Sequence, residues 1–355
     1  GTDEFFQSDS KIICGIDIFA SAFFMIVRWE EYVNKTRDKH DRFPAIASVA
    51  YKNNFLDRPI VNEYLEMLWN MLKYLGLQSK RKKREFQFIL THDIDHIEYW
   101  KNYRVLAKHL LVDVLKHKSF KKAIESFNDY YLTKKGSKKD PYDTFKELMD
   151  LSEQANIKSR FYFMANGNSK FDDSYLYEYN LLKIIQNIKE RGHIIGFHPS
   201  YNTYNSIDQW SEEKKTLERR IGVTLTEGRQ HYLRFSNPET FRILEENQMN
   251  VDSTLGYADY AGFRCGVCYD FPVFDFLKKK QLHVKERPLI VMDTTIIRYQ
   301  KLNLYEMYDF IERLIDRVKK YNGDFVFLWH NSNFNIGEWK NYSNVYNKVL
   351  KSLFD

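Results

Sequence analysis

Phe86-Gln87-Phe88-Ile89-Leu90-Thr91-His92-Asp93-Ile94-Asp95-His96 is the stretch on which the reading of the fold turns. A short apolar run, Phe86 to Thr91, ends abruptly in acids and imidazoles. It is too short for a helix and reads as a buried strand. Six further runs share the form: Ser159–Ala165, His193–His198, Arg229–Phe235, Asn250–Thr254, Leu289–Thr294 and Asp324–His330. Between them lie stretches with apolar residues at helical spacing. These are Tyr103–Leu132, Tyr142–Ala155, Tyr175–Arg191, Trp210–Ile221, Pro238–Gln248 and Tyr305–Tyr321, with Tyr342–Phe354 closing the chain. Strands alternating with helices imply βαβ units and a parallel sheet. About seven such units predict an α/β fold, a (β/α) barrel ahead of an open doubly wound sheet.

Upstream the texture differs. Residues 1–84 read as a small, mostly helical N-terminal domain and linker, and residues 85–355 as the barrel. Ile16 to Tyr32 has a helical pattern, Arg37 to Pro59 is irregular and polar, and Val61 to Leu75 is helical again. Gly76 is a stop signal, and Lys80 to Arg84 reads as the linker.

Composition narrows the function. The 355 residues carry 54 basic and 48 acidic side chains, net +6. That balance, without a duplex-binding motif, predicts no nucleic-acid partner. The basic runs Lys80–Arg84 and Lys134–Lys139 read as solvated loops. Three cysteines make no disulfide framework, and Cys265 and Cys268 form a lone CxxC that reads as loop thiols. The longest apolar stretch, Ile12 to Val27, contains Asp17 and follows acidic residues, so it reads as a buried helix rather than a membrane span or secretory signal. The expected location is cytoplasmic.

The ends of the strands carry the chemistry. A barrel's active site lies at the C-terminal ends of its strands. There the sequence places Asp93 and Asp95, His198, Arg229 with His231 and Arg234, Asp252, Asp293 and His330. Two residues apart on a strand, Asp93 and Asp95 point the same way. Two like charges so close call for a cation or a proton. One carboxylate with His198 suits Zn²⁺ or a similar ion, leaving the other carboxylate as a base. The alternative is structural: the acids cap the next helix or pair with Arg229, and His198 is a core residue.

These residues, in this order, resemble the polysaccharide deacetylases, carbohydrate esterase family four. The family's Thr-Phe-Asp-Asp motif is matched by Thr91-His92-Asp93-Ile94-Asp95. Its His-x-x-x-His motif is matched by His198 to Asn202, its Arg-x-Pro segment by Arg229-Gln230-His231, and its Leu-x-His by Leu328-Trp329-His330. Asp252-Ser253 stands at the fourth motif. The resemblance covers about residues 85 to 335 and implies a distorted (β/α)7 barrel that removes acetyl groups from a sugar or polysaccharide. It implies a divalent metal, Zn ahead of Co, Mn, Ni or Fe, held by Asp95, His198, Asn202 and His231. Asp93 is then the base, Arg229 its tether and His330 the acid. Ser200, Tyr201, Tyr232, Asp252 and Trp329 are expected at the substrate, with Tyr257 as a further wall and the Ser200 or Tyr201 backbone N–H as oxyanion donor. Ile94 between the acids leaves the base and ligand roles interchangeable. Asn202 in place of the second histidine keeps a non-catalytic carbohydrate-binding relative open, as well as a hydrolase for cyclic amides or esters.

Overall fold

The computed structural model describes residues 4–337 and 339–353. A hairpin, β1 (Phe5–Ser8) and β2 (Lys11–Cys14), opens the described chain. Nine strands then build one sheet: β3 (Gln87–Ile94), β4 (Arg160–Phe163), β5 (Ile194–Phe197), β6 (Glu227–Gly228), β7 (Val251–Asp252), β8 (Phe271–Asp275), β9 (Lys280–Glu286), β10 (Val291–Met292) and β11 (Asp324–Leu328). Their spatial order is β10-β11-β3-β4-β5-β6-β7-β9-β8. All neighbours are parallel except the β8–β9 pair at one edge. The architecture is therefore mixed α/β around a large, mainly parallel sheet. Among the described residues the ladder ends at β10 and β8, without a pairing that closes it.

Two of the expectations are corrected. The strand expected over Arg229–Phe235 stops before it starts. β6 holds only Glu227 and Gly228, and His231–Leu233 is a 3-10 turn with Tyr232 at φ 62° and Leu233 at φ 55°. Gly228 lies so close to the Phe197 carbonyl that a side chain there would collide with it. The backbone then turns away from the sheet at Arg229. The second correction concerns β8 and β9, which give nine strands instead of seven. β9 alternates exposed Gln281, His283 and Lys285 with buried Leu282, Val284 and Glu286. It lacks the continuous apolar run that marks its parallel neighbours.

Side-chain parity sorts the sheet into two faces. Leu90 and Ile94 of β3 and Phe325 and Phe327 of β11 pack outward into the main core. That core also takes the buried stripes of the helices. One is Leu304–Lys319, opened by an Asn303–Glu306 capping box and buried through Met307, Ile311, Leu314, Ile315 and Val318. Ile89, Val326 and Leu328 face the other way and meet Met292, Leu289, Leu233 and Ala258 in a smaller cluster. The cavity described below opens over this inner face. The closing helix is Trp339–Lys351, and Phe354 lies outside the described residues.

The N-terminal segment binds tightly to the sheet-bearing part. Its first helical pattern is two helices, Ile18–Ile26 and Trp29–Val33, separated by Arg28 at φ 53°. The first lies half at the surface, with Met25 in the core and Phe19 exposed. Glu31 accepts hydrogen bonds from Arg28 Nε at 2.8 Å and from Arg264 Nε and Nη2 at 2.8 and 2.6 Å. Arg28 Nη2 also donates to the Tyr257 hydroxyl. Backbone bonds from Val61 to Gly266 and from Phe263 to Leu56 continue the seam. No helix among the described residues is long and apolar enough to cross a membrane.

Burial opposes charge on Glu31, but the Arg264 and Arg28 guanidiniums outweigh it and hold the carboxyl down at about 2, against an ordinary 4.5. Its stabilising contribution is full above pH 4.5 and is lost as the pH falls towards 2. Glu31→Gln leaves buried Arg264 without its carboxylate and Arg28 with Glu30 at 4.0 Å, and is expected to cost about 3–5 kcal/mol. Urea unfolding at pH 7 measures that loss, and the gap between variant and parent should close across the acid window.

Candidate metal centre

β3 delivers both acids. Asp93 lies opposite Tyr162 of β4 on the inner face, and Asp95 follows just past the strand end. Both line a cavity of about 470 Å³ together with His198, His231 and His330. His92, of the opposite parity, points outward. Its Nδ1 meets the Trp329 carbonyl at 2.7 Å, and burial lowers its pKa to about 4.

Three donor atoms converge. His198 Nε2 is 3.3 Å and His231 Nε2 3.5 Å from Asp95 Oδ1. The far nitrogens fix which form each ring takes. His198 Nδ1 lies 2.7 Å from the Arg229 carbonyl, which only accepts, so Nδ1 carries the proton. His231 Nδ1 lies 3.1 Å from Asp172 Oδ1, again an acceptor. Both Nε2 lone pairs therefore face a carboxylate oxygen. Asp95 Oδ1 and His198 Nε2 are buried and have no hydrogen-bond partner. Groups facing one another in this way call for a cation or a proton between them. Their spacing is what tetrahedral N/O donors at about 2.0–2.1 Å from Zn²⁺ require. Asp172 and the Arg229 carbonyl fix the outer ring nitrogens, as such partners do wherever histidines hold a metal.

The electrostatics differ between the members of the trio. Burial works against charge on Asp95, but His231, His198 and His330 hold its carboxyl far below the usual carboxylate range. Burial lowers the His231 pKa, towards the neutral ring that a ligand needs. Burial also opposes charge on His198, yet the Asp93 and Asp95 carboxylates raise its pKa.

Around this trio stand the other reactive groups. Arg229 is fully buried, and its Nη1 donates to Asp93 Oδ1 at 2.8 Å and to Thr91 Oγ1 at 3.0 Å. Its Nε and Nη2 bond the Ser253 carbonyl and hydroxyl. His330 Nδ1 lies 2.7 Å from Asp293 Oδ1, and its Nε2 faces Asp95 Oδ2 at 3.9 Å. Burial opposes charge on His330, but Asp293 outweighs it and raises the pKa to about 10.

The structure places the remaining expected residues as follows. Tyr232 lines the cavity. Asn202 is exposed on the turn after β5, its amide oxygen 3.5 Å from Arg234 Nη1 and apart from the three donors. Ser200 is buried, with its N–H and hydroxyl both donating to Glu213. The Tyr201 N–H donates to Asp172 Oδ1. Neither backbone N–H is free to serve a substrate oxyanion, which corrects that expectation. The Tyr201 ring packs against Phe171 and His40 instead. Asp252 accepts from Thr254 and pairs in register with Glu286, and burial raises the pKa of both carboxyls. Trp329 shares the outward parity of Phe327, packs on Tyr346 and donates to the Asn333 carbonyl. Tyr257 is buried against Arg28.

Sequence reasoning missed several contributors. His40 and Arg42 of the N-terminal segment line the cavity, beside Tyr142, Tyr299 and Trp339. Arg42 reaches across to the Tyr232 carbonyl and the Tyr299 hydroxyl. The one signal available was the long irregular stretch from Arg37 to Pro59, since long structureless loops are commonly functional. Asp172 sits in the loop after β4, where a sheet of this kind collects its functional groups.

A family of unknown function, DUF7033, matches residues 1–77. No curated protein sequence matches the chain. Among solved structures, a Mycobacterium smegmatis protein assigned as a polysaccharide deacetylase is similar at 13% identity, with a TM-score of 0.45 over 78% of this chain and 86% of its own. A pseudoenzyme of carbohydrate esterase family four from Bacillus anthracis is similar at 11% identity, with a TM-score of 0.37 over 79% and 66%. A Bacillus cereus polysaccharide deacetylase shows 12% identity and a TM-score of 0.36 over 76% and 88%.

The ligand set is testable by Zn²⁺ titration calorimetry. His231→Ala is expected to weaken binding at least about 100-fold, and Asp172→Asn about 10-fold through the lost outer bond. Asn202→Ala should leave affinity unchanged.

Proposed function

We propose that the protein is a metal-dependent hydrolase that removes an acetyl group from an acetylated sugar. The observation that carries this reading is the convergence of Asp95 Oδ1, His198 Nε2 and His231 Nε2, the first two of them buried without a hydrogen-bond partner. The resemblance of the strand-end residues to polysaccharide deacetylases supplies the reaction class. Zn²⁺ is the ion the donor set fits best.

A divalent cation bound there would acidify a neighbouring water and offer positive charge to a carbonyl oxygen that becomes anionic. Asp93 has one oxygen tied to Arg229, which leaves Oδ2 as the base that takes the water's proton. The water oxygen adds to the acetyl carbonyl carbon. His330, held through Nδ1 by Asp293, gives its Nε2 proton to the leaving sugar nitrogen. Its raised pKa keeps that proton in place at neutral pH. The C–N bond then breaks, and acetate and a free amino sugar leave. Tyr142, Tyr232, Tyr299 and Trp339 offer aromatic faces to a sugar ring at the cavity wall.

The experiment pairs metal content with acetate release from N-acetylated oligosaccharides. Asp93→Asn should retain the metal and lose about 10²–10⁴ of the rate, the range that a positioned base contributes. Unchanged acetate release would remove Asp93 from this role. A protein that binds glycan while holding no metal and releasing no acetate would instead be a carbohydrate-binding relative.

A further inference from the structure

The longest insertion in the sheet lies between β3 and β4. It contains two helical arms, Tyr103–Leu111 continuing as a π turn through Lys116, and Phe120–Lys134. The arms run antiparallel. Ser126 Oγ bonds Asp113 Oδ2 near the tip, Trp100 packs on Tyr130 lower down, and Lys134 Nζ bonds the Lys101 carbonyl at the base. Asp140 clamps the base by accepting from the Tyr99 and Trp100 N–H groups. The hairpin thus leaves from the strand that carries the two acids and returns at Tyr142, on the cavity wall.

Its surface is unusual for a helix pair. The second arm buries no residue. Phe120, Ile124, Phe127 and Tyr131 repeat at helical spacing on one face, and all are exposed, Phe120 by 75% and Ile124 by 62%. Leu111 and Leu115 extend the apolar surface at the tip, with Leu115 exposed by 71%. Exposed Lys108, Lys116, Lys118, Lys121 and Lys122 surround them. Residues 103–134 carry seven basic side chains against three acidic ones, and one of those acids, Asp113, is buried. Tyr103 and Tyr131, exposed by 67% and 56%, stand toward the base. Lys116, Lys118, Lys121 and Lys122 thus gather at the turn beside Leu115 and Phe120, while Ile124 and Phe127 carry the apolar face back toward the tyrosines at the base.

We propose that the 103–134 hairpin docks the protein onto an anionic lipid bilayer, lying along the surface with its apolar face at the acyl boundary and its lysines meeting the headgroup phosphates. The charge pattern selects this occupant. An apolar face flanked by lysines complements a surface that is negative outside and hydrocarbon within. Tyrosines suit the headgroup level between the two. The hairpin lies on the interface and does not span it, in keeping with arms of 9 and 15 residues. The proposal does not depend on the deacetylase reading, because binding is measured without substrate.

The test is sedimentation of the full chain with vesicles of phosphatidylcholine alone or with about 30% phosphatidylglycerol. Anionic vesicles should bind at least about tenfold more tightly than neutral ones, and salt should weaken the binding. Leu115→Glu with Phe120→Glu should lower binding to anionic vesicles at least about tenfold. Both positions are exposed, and a Glu at the first turn of a helix suits its dipole. Lys116→Glu with Lys118→Glu should act in the same direction while leaving the apolar tip intact. Equal binding to both vesicle types, no binding, or unchanged binding by both variants would overturn the proposal. So would a dimer in solution that Leu115→Glu with Phe120→Glu dissociates, with no vesicle binding, since a second copy would then cover the hairpin.

Discussion

Arg229 is the buried point through which the site is assembled. Its guanidinium makes four hydrogen bonds, to Thr91 and Asp93 on β3 and to the backbone and hydroxyl of Ser253 just past β7. Its own carbonyl fixes the His198 ring at the end of β5. One residue therefore ties Asp93 to the sheet and sets the ring that faces Asp95. A buried guanidinium tolerates such a place only when its donors are matched, and the partners here come from separate strands. The acids and the imidazoles consequently keep their spacing together.

The two-residue period of the strands decides which side chains can take part. Thr91 and Asp93 face inward with Ile89, and His92 faces outward with Leu90. On β11 the same rule sends Trp329 outward with Phe327 and leaves His330 at the inner mouth. Trp329 and His330 are adjacent in sequence yet belong to different layers. The turn at Tyr232 and Leu233 breaks the period where it matters. The chain leaves the sheet at Arg229, and two non-glycine residues with positive φ follow His231, whose Nε2 faces Asp95. Backbone strain of this kind is held in place by surrounding contacts and gathers at functional sites.

The N-terminal segment borders the same cavity. The Glu31–Arg28–Arg264 cluster and the backbone seam at Leu56 and Val61 fix it against the sheet-bearing part. From that base, His40 and Arg42 reach the cavity wall. The residues matched by a family of unknown function thus include two that border the proposed metal centre.

Much of this was legible in the sequence. Apolar runs alternating with helical periods determined the order and kind of most elements, because burial on both faces of a parallel strand leaves a local signature. The spacing of Asp93 and Asp95 determined that they share a face. β9 stayed hidden because an alternating, half-exposed strand carries no continuous run. Only the tertiary structure decided that Asp95, His198 and His231 converge, that Asp172 and Asp293 stand behind the rings, and that Ser200, Asp252 and Asn202 lie elsewhere. A period fixes direction along one strand. Which strands become neighbours, and where a turn redirects a ring, depends on contacts between residues far apart in the chain.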